Sequence, residues 1–586
     1  MNRSSTMAEP TRNNAAADLE RCLGDPLDRA SDFSFEQALL DDELERFPEK
    51  LCRGLDDWGL NEYYVPRELG GRFTSFEELF SIVKVVSRRD LTAAIAHSAI
   101  YLGAASVWMS GTQAQKHRLA GIIRKGGAVA FALTEQAHGS DIMATGLTAE
   151  RDGDRYLLSG EKWLINNATR SAAVVAFART RPERGPRGFS LFFLDKEKLA
   201  PATYRYLPKL KTHGIRGADI SGIAFDRCPV PADAVIGAPG AGLELTLKTL
   251  QISRTMCAAL SLGAANAALH TTLGFALRRQ LYGKDVYAIP EVQKTLVDAF
   301  LDILICDCMA AAAVRGLHTA TRQFSVWSAV VKYFVPVTLE NAIRSLSSVL
   351  GARYYLRQGT EGVFQKTARD SAIVSVFDGN TAVNLQAIAL QLRFLLPEHA
   401  PDDSASTAAF AERVKTTFDL TRPLPEFDAA NLELFNHGHD DVLHGLSACV
   451  EYLREAGAGS QLDEALAGRI LGFVKKALED LGSLKAKAAK LAEARGSTVD
   501  KSSALFELSR QYCVLHAAAA CLQMWIHNKA HVGAYFAKGE WLLLALNRLL
   551  GSGPHPDPTL STDAVRELAA MHARRESVSI NPFVFS

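Results

Sequence analysis

The stretch Phe131-Ala-Leu-Thr-Glu-Gln-Ala-His-Gly-Ser-Asp141 decides how the rest of the chain is read. Its first residues continue a short apolar run from Val129 that reads as a strand ending at Leu133. Thr134, Gly139 and Ser140 follow in close order, so the loop leaving the strand carries hydroxyls and unhindered backbone N–H groups. Such a loop suits a ligand with anionic or polar heterocyclic parts, which can come close to N–H groups that no side chain covers. Taken alone, such a stretch is more often an ordinary exit from strand to loop.

The chain changes texture on either side of it. From Phe33 to about Lys125, apolar residues recur at helical spacing, as in Phe76-Leu79-Phe80-Val83-Val86 and Ile95-Ile100-Ala104-Val107. From Ala128 to about 235 the segments are short and rich in β-branched or aromatic residues (Tyr156–Ser159, Ala172–Ala178, Ser190–Leu194, Gly222–Phe225). Turn formers such as Asp152-Gly153-Asp154 separate them, which indicates antiparallel strands. After Gly237-Ala-Pro-Gly-Ala-Gly242 the helical period returns in long Ala- and Leu-rich stretches, the pattern of a bundle. The expected fold is therefore α+β and mostly α. It has a flexible leader (1–32), an N-terminal helical domain (33–127), a middle antiparallel β domain (128–236) and a helical bundle (237–396). A Pro- and Asp-containing linker (397–407) leads to an additional C-terminal helical domain (408–586).

Composition narrows the function. In 586 residues, 65 Lys+Arg balance 65 Asp+Glu, so the chain lacks the basic footprint of a nucleic-acid binder. No apolar run is read as reaching the roughly 20 residues of a membrane span; the best, Trp541–Leu546, is followed by Asn547 and Arg548. The N-terminus lacks the apolar segment of a secretory signal. Nine cysteines are scattered singly except for Cys306 and Cys308, which fits a reducing cytoplasm and argues against a disulfide scaffold. No metal is expected. The group His437, His439, Asp440, Asp441 and His444 matches no zinc spacing and reads as a helix start capped by Asp. The seam Ile470, Val474, Ala477, Leu481, Leu484, Ala488 and Leu491 reads as packing within the extra domain or across a dimer, because its alanines and Gly482 suit lipid poorly. Gly237–Gly242 lacks the Lys-Ser/Thr of a phosphate loop and reads as a turn into a helix.

Further segments accompany the opening stretch: Gly160-Glu-Lys-Trp-Leu-Ile-Asn-Asn167, Gly214-Ile-Arg216, Phe225-Asp-Arg-Cys-Pro-Val-Pro231, Arg279-Gln-Leu-Tyr-Gly283, Arg369-Asp370 and Phe377-Asp378-Gly379-Asn-Thr381. In this order and spacing, over about residues 50 to 395, the chain resembles the acyl-CoA dehydrogenase family of flavoproteins. Its C-terminal extension resembles, in position and helical character, that of the very-long-chain branch. The resemblance implies FAD held between the sheet domain and the bundle. It also implies a carboxylate that removes the α-proton of an acyl thioester while the β-hydride passes to flavin N5, with hydrogen-bond donors stabilising the enolate-like oxygen.

By the same resemblance, Leu133, Thr134, Gly139 and Ser140 line the flavin ring and pyrophosphate. Leu164 and Asn166 stand near flavin N5, where the family usually has an aromatic residue and a Thr or Ser; Asn166 is expected to donate a hydrogen bond there. Arg279, with Tyr282 beside it, matches the arginine that grips the FAD pyrophosphate of a neighbouring subunit with its planar fork. The family's Gln-x-x-Gly-Gly-x-Gly loop is altered here to Ser348-Val-Leu-Gly351-Ala352-Arg353-Tyr354, with Arg353 as the substitute charge. Asn380 completes the cofactor set. The base is expected at Asp378, where the family usually has Glu. Asp is one methylene shorter, and a misplacement of about 1 Å can cost about a hundredfold in rate. Ser253, beside Arg254, offers no alternative carboxylate.

The implied substrate is an acyl-CoA or acyl-carrier protein of fatty acid or polyketide metabolism, with an electron-transfer flavoprotein or other acceptor and a homodimer or tetramer. Two alternatives stand beside this. The nitroalkane oxidase branch places Asp at the base position, so Asp378 also suits a flavin oxidase. The altered pyrophosphate loop also suits a catalytically degenerate scaffold.

Overall fold

The computed structural model describes residues 14–182, 185–395, 404–458, 463–495, 503–551 and 558–585. The N-terminal region is helical: α1 (Asn14–Leu23), α2 (Phe35–Glu43), α3 (Glu49–Trp58), α4 (Phe76–Arg89), α5 (Leu91–Ser110) and α6 (Gln113–Arg124). Local chemistry sets the boundaries. The Ser75 side chain accepts from the Glu78 N–H to open α4, Asp90 accepts from the Thr92 N–H to open α5, and Thr112 and Gln115 form a capping box at α6.

Two expectations change here. Residues 14–23, assigned to a flexible leader, form α1. Ala16, Leu19 and Leu23 are buried on one side of it, and Glu20 accepts from the guanidinium of Arg89. The three- and four-residue spacing of those apolar residues was hidden among small polar neighbours. α5, in turn, is a single helix long and apolar enough to cross a membrane by length and composition, although 78% of its most apolar window is buried inside the protein. It is apolar all round because α4, α7 and the sheet cover it.

The middle region is one curled seven-stranded sheet. Its strands are β1 (Val129–Ala132), β2 (Thr148–Asp152), β3 (Arg155–Asn166), β4 (Ala173–Arg179), β5 (Phe189–Asp195), β6 (Tyr204–Leu207) and β7 (Ile220–Pro231). The path runs β1-β4-β2-β3-β7-β6, with β5 also paired to β4. The sheet is mostly antiparallel, but β1 joins β4 in parallel with Val129 opposite Ala173. β1 is buried at every position, as befits a strand covered on both faces.

The bundle follows: α7 (Gly242–Arg278), a hairpin of β8 (Gln280–Leu281) and β9 (Lys284–Asp285), then α8 (Pro290–Thr319), α9 (Phe324–Leu350), α10 (Gly362–Ser371) and α11 (Thr381–Leu395). Most of the expected linker lies outside the described residues. The extension comprises α12 (Ser404–Phe418), α13 (Asp441–His444), α14 (Leu446–Ala458), α15 (Glu464–Arg495), α16 (Ser503–Asn528), α17 (Ala534–Lys538), α18 (Glu540–Leu550) and α19 (Pro558–Ala573).

The extension is bolted to the bundle by polar groups as well as by apolar area. Arg315 of α8 is fully buried, pairs with Glu77 at 2.8 Å and donates to the carbonyls of Thr416, Thr417, Asp419 and Arg422. The Trp327 indole N–H of α9 donates to Asp440 at 3.1 Å, and Asp440 also caps α13. Thus the acidic end of the His437–His444 group is a helix cap, and among the described residues no cluster of metal-ligating side chains is found. Ile470, Val474, Ala477 and Leu484 are buried where α15 meets α14, α16 and α18, so that seam packs within the extension.

Candidate active site

The loop after β1 is held at its root. Lys162, fully buried on β3, donates to the Leu133 carbonyl (2.9 Å), to Glu135 (2.8 Å) and to the Thr145 hydroxyl (2.7 Å). Glu135 also accepts from the Thr145 hydroxyl and from the N–H groups of Gly146 (2.7 Å) and Leu147 (3.0 Å). Burial alone would raise the Glu135 pKa, but these donors outweigh it and hold the carboxyl at about 2. Burial pulls the Lys162 ammonium down to about 8 despite the facing carboxylate. The Trp163 N–H donates to the Thr134 carbonyl at 2.9 Å, which fixes the loop to β3 a second time.

A cavity of about 960 Å³ opens beyond this root. Leu133, Thr134, Gly139 and Ser140 line it from the loop, and Leu164 and Asn166 line it from β3. Leu164 sits at a register shift between β3 and β7 with φ +59°, a left-handed conformation that is costly for a branched residue. The bulge turns its side chain outward, 43% exposed, toward the cavity. The Asn166 amide nitrogen donates to the Ile95 carbonyl at 3.0 Å, so the donor expected for a ligand is already engaged. Its carbonyl oxygen Oδ1 is buried without a partner among the described residues.

Asp378 and Asn380 reach the same cavity from the turn between α10 and α11. Asp378 (φ +55°) and Gly379 (φ +95°) are both left-handed, and a side chain at Gly379 would place its Cβ 3.0 Å from the Arg254 guanidinium. Arg254 Nε donates to the Asp378 backbone carbonyl at 2.9 Å, which orients the turn. The Asn380 side chain accepts from the Val383 N–H at 3.0 Å and so starts α11, a structural task alongside its place in the cavity wall. Burial raises the Asp378 pKa above the ordinary carboxylate value; the Lys332 ammonium, Ser253, Arg254 and Cys257 oppose it. Lys332, 1% exposed on α9, donates to the Val374 carbonyl at 2.5 Å.

The Arg369-Asp370 pair joins three regions. Arg369 pairs with Asp42 of α2 at 2.5 Å and donates to the His213 carbonyl at 2.9 Å. Asp370 accepts from the Ile215 N–H at 2.6 Å and from Lys366 at 2.7 Å, and Lys366 also pairs with Asp90 at 2.6 Å. Gly214 is required there: a Cβ would lie 2.3 Å from the Arg369 carbonyl oxygen.

Arg279, Tyr282 and Arg353 do not line this cavity. Arg279 is exposed at the end of α7, Tyr282 is 95% exposed in the hairpin, and Arg353 lies 3.6 Å from Glu361. Sequence reading missed Lys162, Glu135 and Lys332 as a supporting set. The available signal was a lysine inside apolar runs, as in Val330-Val331-Lys332-Tyr333-Phe334.

The arrangement is that of a ligand-binding oxidoreductase, with a helical layer, a curled sheet and a bundle closing on one largely apolar cavity whose wall carries two acids, Asp378 and the exposed Asp141 of the loop. The acyl-CoA dehydrogenase N-terminal, middle and C-terminal domain families match residues 35–126, 130–228 and 240–392. The chain belongs to the acyl-CoA dehydrogenase family and is an FAD oxidoreductase of that type. The probable acyl-CoA dehydrogenase FadE25 of Mycobacterium tuberculosis is 27% identical over 344 residues, covering 58% of this chain and 87% of the relative. Cyclohex-1-ene-1-carbonyl-CoA dehydrogenase of Geobacter metallireducens is 27% identical over 362 residues, covering 61% and 93%. In fold, butyryl-CoA dehydrogenase of Megasphaera elsdenii superposes with a TM-score of 0.59 at 23% identity, covering 66% of this chain and 98% of that one.

Proposed function

We propose that the protein dehydrogenates an acyl thioester, carried on CoA or on a carrier protein, to the α,β-unsaturated thioester with FAD as acceptor and Asp378 as base. The observation that carries this is Asp378 itself, a carboxyl of raised pKa held in a left-handed turn at the wall of the cavity that the 131–141 loop and Leu164 also line.

The residues fit FAD. Gly139 leaves open space where a side chain would stand, Thr134 and Ser140 offer hydroxyls, and the unpartnered Asn166 Oδ1 offers an acceptor to a ring N–H. Leu133 and Leu164 supply the apolar wall for a flat ring. Arg279, Tyr282 and Arg353, exposed here, would serve the pyrophosphate end of a neighbouring copy in a homodimer or tetramer. When bound, FAD supplies the acceptor for the hydride. Asp378 takes the α-proton onto a carboxylate oxygen, and its raised pKa makes it a stronger base than an exposed Asp. The apolar walls exclude water, and Arg254, through the Asp378 backbone carbonyl, holds the turn that carries the carboxyl. An electron-transfer flavoprotein or another acceptor reoxidises the enzyme. The free cysteines support a cytoplasmic location.

The test is anaerobic titration of the purified yellow protein with a panel of acyl-CoAs and acyl-carrier proteins. Loss of flavin absorbance is the expected result, and a protein that stays oxidised with every member refutes the reading. The short base at Asp378 favours one other activity, a flavin oxidase. Stoichiometric peroxide on readmission of air identifies the oxidase, and persistence of reduced flavin identifies the dehydrogenase.

A further inference from the structure

Tyr101 of α5 lines the 960 Å³ cavity and also a second one, of about 580 Å³. Its ring is braced by Phe73 at 5.9 Å and by the edge of Phe76 at 5.8 Å, so it stands as a partition between two chambers. α7 is a shared wall as well: Ile252 faces the second chamber, and the next two residues, Ser253 and Arg254, face the first beside Asp378.

The second chamber is roofed by the extension. Residues 424–430, between α12 and α13, form that roof, and Pro66, Thr74 and Trp108 lie among the N-terminal residues facing it. The roof is fixed in place. The Pro425 carbonyl meets His318 Nδ1 at 2.9 Å, while His318 Nε2 accepts from the Phe76 N–H at 3.1 Å. Phe427 stacks edge-on against Phe76 at 4.9 Å, and Gln251 of α7 donates to the Glu433 carbonyl at 2.8 Å. The two chambers differ in chemistry. The first is walled mainly by Leu, Ile, Val, Phe and Met, whereas Arg67, Glu68, Glu426 and Asp428 face the second, three carboxylates against one guanidinium.

Resting on the thioester reading above, we propose that the second chamber receives the far end of the acyl group, past Tyr101. The C-terminal extension thereby selects acyl thioesters whose distal end is a cationic hydrogen-bond donor, an amine, over those whose distal end is a carboxylate. Asp428 already accepts from the Ala430 N–H and from Asn431, so Glu68 and Glu426 are the carboxylates that attract such an end and repel an anionic one, while an alkyl end meets only the apolar part of the lining, Trp108, Met109 and Phe427 among it.

The experiment uses the full-length flavoprotein and three acyl-CoAs of matched length ending in methyl, amine or carboxylate. Binding is read as a shift of the flavin spectrum in Asp378→Asn, and turnover as kcat and KM in the unaltered enzyme. Exposed carboxylates acting singly or in pairs are worth roughly a twofold to tenfold preference for the amine, expressed in binding and KM. Glu68→Gln with Glu426→Gln, both at exposed positions, should bring the amine-to-carboxylate ratio toward one. Tyr101→Ala should raise affinity for long chains, and Phe427→Ala makes the same measurement from the roof if that variant does not fold. Equal binding of the amine and carboxylate ends, or a chain-length profile that neither Tyr101→Ala nor Phe427→Ala changes, overturns the proposal. If short alkyl thioesters still bleach the flavin in that case, only this inference falls. If no thioester does, the underlying reading falls with it.

Discussion

The cavity and the outer edge of the bundle, residues 279–283 and 351–357, are built on opposite plans. In the packing around the cavity the buried charged groups have fixed partners: Lys162 with Glu135, Lys366 with Asp90 and Asp370, and, in the cavity wall itself, Arg254 with the Asp378 carbonyl. At the edge, Tyr282 is 95% and Tyr355 76% exposed, Leu356 is 52% exposed, and Arg279 is exposed beside them. Arg278 and Arg353 share one glutamate, Glu361, at 3.4 and 3.6 Å. Buried charge must be paired to be tolerated, and the groups packed around the cavity find their partners within one chain. The edge exposes aromatic rings next to guanidinium groups. The two plans predict that mutations in the cavity act on chemistry and folding, and mutations at the edge on cofactor retention alone.

The largest effect is expected at Asp378. Asp378→Asn keeps the turn, because the contact with Arg254 is made by the backbone carbonyl, and removes the base. A fall in kcat/KM of about 10² to 10⁴ with flavin content unchanged is the expected outcome. Normal bleaching by substrate in this variant would break the comparison at its centre. The unaltered enzyme carries a pH signature. The folded-state pKa of Asp378 is raised above its ordinary 3.8, and the base works only when deprotonated. Activity should therefore rise with pH through an apparent pKa above that value, and Asp378→Asn should lose this limb.

Lys162→Met comes next. It leaves the Glu135 carboxylate buried with only neutral donors, and breaking such a pair costs about 3–5 kcal/mol. A lower urea midpoint, together with loss of flavin binding, is expected. An unchanged midpoint would mean that the loop root does not depend on the pair.

These two residues also mark how far the sequence could be read. Asp378, Gly214 and Arg369-Asp370 were singled out through the order and spacing of the family resemblance, since Asp378-Gly379 alone reads as a turn, and the structure brings Asp378, Gly214 and Arg369 to one cavity. The order helices, sheet, helices was legible from the change of period near residues 128 and 237. Lys162 and Glu135 stand 27 residues apart and meet only when β3 folds beside the loop, so no local pattern announces their bond. The parallel pairing of β1 with β4 is hidden for the same reason: parallel partners are distant in sequence. The opening α1 was missed because three apolar residues in a polar, Ala-rich segment carry little signal until α4 covers them. The roles assigned to Arg279, Tyr282 and Arg353 come from family resemblance, and they rest on a surface that a single chain leaves open.

That surface supplies the third test. Arg279→Ala removes one guanidinium from an exposed position, so folding stability should stay within about 0.5 kcal/mol. If the arginine reaches a phosphate of a neighbouring copy, a charge-assisted hydrogen bond worth about 1.5–3 kcal/mol is lost, and FAD should dissociate on dilution and gel filtration. Retention of flavin equal to the unaltered protein would remove the edge from the cofactor site and leave the cavity as the whole of it.

The smallest effect sharpens the account of strain. Leu164 holds φ +59° at the β3 bulge while its side chain is 43% exposed to the cavity. A left-handed Leu costs roughly 1–2 kcal/mol, and Gly accepts that conformation freely but loses more chain entropy on folding, about 0.5–1 kcal/mol. Because little apolar area is buried by so exposed a side chain, the two backbone effects should nearly offset. Leu164→Gly is therefore expected to leave the flavin-free protein as stable as before or up to about 1 kcal/mol more stable, while weakening FAD binding through the lost wall. A destabilised apoprotein with unaltered FAD affinity would give the opposite answer: the side chain would be serving the fold, and the bulge would have no part in shaping the site.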